Sequence, residues 1–119
     1  MNYPKDVLNI FFNALLRNEK AIIWLHQNNY LELAAFTNSL YGIQKAEDWL
    51  LKTNHKSWAM LSRAIKKDSD SLIWLIDNGY TDFAAIVGMI HEDTNSEQWL
   101  LKNEKFPQLK MGELLRRNF

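Results

Sequence analysis

Apolar residues return along this chain at spacings of three and four, in short runs separated by polar breaks. That spacing lines one face of a helix. A longer period lies above it. Trp24-Leu25, Trp49-Leu50, Trp74-Leu75 and Trp99-Leu100 follow one another at 25 residues without insertion, and only Trp58 of the five tryptophans falls off this grid. Other columns agree with it: Ala34, Ala59, Ala84, Leu109; Phe36, Leu61, Ile86, Met111; Leu40, Ile65, Ile90, Leu115; and Leu33, Trp58, Phe83, which breaks to Gln108. A fixed period of this size marks a repeat architecture.

Each unit carries two breaks. Asn28-Asn29, Thr53-Asn54, Asn78-Gly79 and Asn103-Glu104 follow the Trp-Leu segment, and Asn and Gly tolerate the left-handed conformation that closes a helix. The second break is Gly42, then Lys67 to Asp70, then Glu92 to Asn95, where Thr94 and Glu97 fit a capping box. Each unit thus reads as a short helix A, a tight turn and a longer helix B. The units are 21–45, 46–70, 71–95 and 96–119. Residues 1–20 form a half-unit, with Leu8, Phe11 and Leu15 on the helix B columns and Pro4 suited to a first turn. In the last unit Lys105, Gln108 and Lys110 read as the polar outer end of a cap, with Pro107 in a first turn. The expected fold is all-α: one domain over 1–119, about nine short helices stacked as antiparallel hairpins in a right-handed solenoid.

A 50-residue period overlies the first. Helix A reads Ala-Ile-Ile-Trp-Leu and Ser-Leu-Ile-Trp-Leu in units one and three, but Ala-Glu-Asp-Trp-Leu and Ser-Glu-Gln-Trp-Leu in units two and four. Ile22, Ile23, Leu72 and Ile73 therefore alternate with Glu47, Asp48, Glu97 and Gln98. Odd and even helices A need different surroundings: either the odd ones are buried on two sides, or they present an apolar stripe.

Composition narrows the function. The 14 basic and 14 acidic residues balance, which disfavours a polyanionic partner, although Lys110, Arg116 and Arg117 cluster near the C-terminus. With no cysteine there is no disulfide, thiolate or cysteine-metal chemistry, which suits a reducing cytoplasm. The first residues read as a mature helix rather than a signal peptide. No apolar run reaches the length of about 18 that spans a membrane.

Thr81-Asp82-Phe83-Ala84-Ala85-Ile86, followed by Glu97-Gln98-Trp99-Leu100-Leu101, resembles the helix pair of ankyrin repeats. The period here is shorter, and the Thr-Pro-Leu-His signature of that class is absent. The resemblance implies stacked hairpins and a binding role of the class, with no particular family.

The Trp-Leu ladder reads as core. Trp58 adds bulk to its column and is either buried within the stack or a candidate contact residue. His26 replaces Leu51, Ile76 and Leu101, and reads as a partly buried imidazole with a backbone partner. Tyr41, Lys66, His91 and Arg116 share one column near the C-terminal end of helix B. They favour the helix dipole there, or form a recognition row. Tyr30, His55 and Tyr80 form a similar row at the A–B turn. No catalytic, cofactor or metal set emerges: the histidines fall in three columns, and His91-Glu92 lacks an orienting partner. The expected function is a non-enzymatic module that binds a protein, a peptide or a second copy of itself, with Ile22, Ile23, Leu72, Ile73, Tyr41, Trp58, Lys66, His91 and Arg116 as candidate contacts. A nucleic-acid-binding helical repeat is the alternative, and a small enzyme the weaker third.

Overall fold

Eight turns of a single design set the architecture. The computed structural model describes residues 1–119, and these form nine α-helices and no strand. They are α1 (Lys5–Leu15), α2 (Glu19–Gln27), α3 (Leu31–Leu40), α4 (Gln44–Lys52), α5 (Lys56–Ile65), α6 (Ser69–Asp77), α7 (Thr81–Ile90), α8 (Thr94–Lys102) and α9 (Phe106–Leu115). Three residues separate each helix from the next, and the middle one is always left-handed: Arg17, Asn29, Gly42, Asn54, Lys67, Gly79, Glu92 and Glu104. The residue after it donates its N–H back to the carbonyl five residues earlier, as in Tyr30 to Leu25 at 2.9 Å, Asp68 to Arg63 at 3.0 Å and Asp93 to Gly88 at 2.8 Å. This is the Schellman closure of a helix end. The same residue stands immediately before the next helix, so stop and start share one position. A nine-residue helix, a turn, a ten-residue helix and a turn account for the 25-residue period.

The capping box expected at Thr94 and Glu97 is displaced by one residue. Asp93 is the N-cap of α8, and its carboxylate accepts from the Asn95 N–H at 3.1 Å and the Ser96 hydroxyl at 2.9 Å. Asp has the short acceptor that an N-cap favours, and the left-handed Glu92 fixes where the helix begins.

The chain divides into two compact units, Met1–Ala59 and Met60–Phe119. In the first, α1 packs on α2 and α3, α2 on α3, and α3 on α4. Its core is aromatic: Trp58 lies 5.0 Å from Phe36 and 6.1 Å from Phe11 between ring centroids. In the second, α7 packs on α6, α8 and α9, and α8 on α9. Gly88 leaves room for Ser96 of α8, and Gly112 of α9 leaves room for Met89.

The two helix classes are buried unequally. Helices α1, α3, α7 and α9 bury four to six residues each. Helices α2, α4, α6 and α8 bury one or two. Their anchors are Leu25, Leu50, Leu75 and Leu100, all at 0% exposure. Burying each such leucine contributes about 1.5–3 kcal/mol. The paired tryptophans are only half-buried, so the ladder read as core is core at leucine and boundary at tryptophan. Gln108 is also corrected. It is buried rather than on a polar outer face, and its amide donates to Asp82 at 3.1 Å.

Candidate interaction surface

Because helices A are anchored by one leucine each, their opposite faces stay open. Ile23 on α2 and Ile73 on α6 are each 53% exposed. Their counterparts on α4 and α8, Asp48 and Gln98, are also exposed. The outward column is therefore exposed in all four helices while its chemistry alternates, so the odd helices A are not buried on two sides. The neighbouring column behaves differently. Ile22 and Leu72 are half-buried, Glu47 is buried, and Glu97 reaches Arg116 at 3.8 Å. Gln44 donates to Glu47 at 2.9 Å, which helps to satisfy that carboxylate.

Ile22 and Ile23 border a hollow of about 350 Å³ in the first unit, with Arg17, Tyr41 and Ile43 on its other sides. The Arg17 guanidinium sits 4.5 Å over the Tyr41 ring. Two further hollows occupy equivalent positions 50 residues apart. Each has paired alanines and a tryptophan in its lining: Ala34, Ala35 and Trp49 in one, Ala84, Ala85 and Trp99 in the other. The first adds His26, Ile43 and Lys45, and the second Ile76, Asp93 and Asn95.

The column at the ends of helices B has a structural task that the chain pattern did not reveal. The Tyr41 hydroxyl donates to the Leu15 carbonyl at 2.7 Å, and a ring N–H at His91 Nε2 donates to the Ile65 carbonyl at 3.0 Å. Each satisfies the last carbonyl of an earlier helix B. Burial pushes the Tyr41 hydroxyl above its ordinary value, and Arg17 draws it partly back. Lys66, His91 and Arg116 keep exposed side chains. Lys67, His91, Glu92 and Arg116 border one shallow hollow, so its cations share the space with a carboxylate.

The row at the A–B turns is also accounted for. Tyr30, His55 and Tyr80 stack on Trp24, Trp49 and Trp74, with centroids 6.1, 5.5 and 5.6 Å apart and planes within 17°. Tyr3 closes the first stack edge-on to Tyr30 and donates to Glu32 at 3.0 Å. Burial first, and Glu32 next, push its hydroxyl upward. These aromatics pack the turn.

Two residues differ from expectation, in opposite directions. Trp58 is 7% exposed inside the Phe11–Phe36 cluster, so it cannot be a contact residue of the folded unit. Its column faces inward in every hairpin, and the extra bulk fills space there. His26 is exposed, because its column lies on the open side of helix A, where Ile76 is 58% and Leu101 50% exposed. Sequence reasoning missed Ile43, 52% exposed in the turn before α4; its only signal was an isoleucine where a turn favours polar residues. No three His, Asp or Glu side chains gather where they could hold a metal. No helix is long and apolar enough to cross a membrane. No family model, curated protein or solved structure matches the chain.

Proposed function

We propose that this chain is a non-enzymatic interaction module, a right-handed solenoid of helical hairpins that binds a protein or peptide along the open faces of its helices A. One observation carries the reading: Ile23 and Ile73 stand more than half exposed on helices whose leucines are wholly buried. A β-branched apolar residue kept at the same outward position of two helices has no packing reason within its own hairpin. Exposed apolar groups of this kind mark interaction surfaces. In the first unit Ile22 and Ile43 extend the apolar area and Tyr41 adds a polar contact; in the second Leu72 does the former and Lys66, His91 and Arg116 the latter. Stacked repeats present extended surfaces of this kind.

The test is substitution. Ile23→Asp and Ile73→Asp should leave far-UV circular dichroism and the melting temperature unchanged, since both side chains face water. Each should weaken binding of the partner at least tenfold. Loss of helicity in either variant would return the residue to the core and remove the proposed site.

A further inference from the structure

The faces that carry Ile23 and Ile73 occupy the same place in hairpins one and three, and the two isoleucines are equally exposed at 53%. They differ in charge. The α2 face carries Lys20, and Glu19 is the single carboxylate of that helix; an exposed cation precedes both helices alike, Arg17 before α2 and Lys67 before α6. Fifty residues on, Asp70 takes the place of Lys20 and Asp77 that of Gln27, and α6 holds no cation. All four of these side chains are exposed. Residues 20, 23 and 27, like 70, 73 and 77, are spaced by three and four, so each trio shares one helical face. A common apolar centre with contrasting charge around it makes the two faces complementary to each other.

We propose that the chain self-associates, with α2 of one copy packed on α6 of another. This rests on the interaction-module reading and names its partner. Ile23 seats against Ile73. Lys20 meets Asp70 if the two helices run parallel and Asp77 if they run antiparallel. The isoleucines provide the desolvated centre, and the charges fix register and reject the pairing of α6 with itself, which would set carboxylates against carboxylates.

The experiment is the solution mass of the full chain by light scattering and sedimentation, from about 5 to about 500 µM. That range brackets the micromolar Kd of a small contact. The wild type should rise from 14.0 kDa towards a multiple of it. Lys20→Glu should hold it at the monomer mass, and so should whichever of Asp70→Lys and Asp77→Lys removes the true partner. An equimolar mixture of Lys20→Glu with that aspartate variant should associate at least tenfold more tightly than either alone, because every contact in the mixed complex again joins opposite charges. This rescue cannot arise from misfolding. A wild type that stays at the monomer mass throughout, or mixtures that fail to rescue with both aspartate variants, would overturn the proposal. A monomeric wild type whose Ile73→Asp variant still loses a different protein partner would overturn self-association alone and leave the interaction module standing.

Discussion

At the scale of single residues the chain tolerates local costs that its three-residue turns impose. All eight turns need a left-handed residue, yet Arg17, Lys67, Glu92 and Glu104 supply a Cβ there, at φ between 55° and 75°. Such a conformation costs about 1–2 kcal/mol outside glycine, partly offset by the greater freedom glycine loses on folding. Glu104→Gly should therefore stabilise the chain by about 0.5–1 kcal/mol, read as a higher urea midpoint with an unchanged slope. Ser62 is the second local cost: its hydroxyl is wholly buried with no hydrogen-bond partner. Ser62→Ala removes the unpaired group and improves helix propensity, so a gain of about 1 kcal/mol is expected in the same assay. Neither feature was legible in the sequence. Asn29, Asn54, Gly42 and Gly79 announce their turns by composition, whereas Lys67 and Glu92 do so only by their place in the repeat.

At the scale of helices most of the order was legible, because period and packing share a cause. One leucine every 25 residues anchors a helix A, and that regularity carries helix number, turn position and inward face directly into the sequence. What failed to show were partners supplied from a neighbouring hairpin. Gln108 looks polar and outward until Asp82 accepts its amide, and Tyr41 and His91 look like surface residues until carbonyls of earlier helices meet them. Trp58 stayed open between two readings for a related reason: a tryptophan suits an interface and a core equally, and only the rings of Phe11 and Phe36 decide between them. The contact of α7 with α8 gives a prediction at this scale. Gly88 lies mid-helix, where alanine is ordinarily better by about 1 kcal/mol. An alanine Cβ there would run into Ser96 Oγ and approach its Cβ to 2.9 Å. Gly88→Ala should therefore destabilise, by about 1–3 kcal/mol as overpacking does, with a lowered urea midpoint. An increase in stability would mean that α8 can move outward freely.

At the scale of the whole chain, the division at Ala59 and Met60 falls within α5, not in a loop. Domain boundaries usually lie in exposed linkers crossed by few contacts. Here the residues on either side of the division, Trp58 to Leu61, are all buried. Trp58 belongs to the aromatic cluster of the first unit, while Met60, Leu61 and Ile65 are buried residues of the second. The helix α5 thus carries buried residues assigned to each of the two units. Ala59→Pro removes the N–H that donates to the His55 carbonyl and costs about 3 kcal/mol or more. The expected result is a single cooperative unfolding transition, shifted to lower temperature, in which ellipticity and tryptophan fluorescence change together. Trp24, Trp49 and Trp58 report on the first unit and Trp74 and Trp99 on the second, so variants keeping only one set distinguish the two. If the two units were independent, these variants would give separate midpoints after Ala59→Pro. Coincident midpoints would mean that the two units still unfold together once α5 is interrupted, so that helix continuity alone does not set the cooperative size of the molecule.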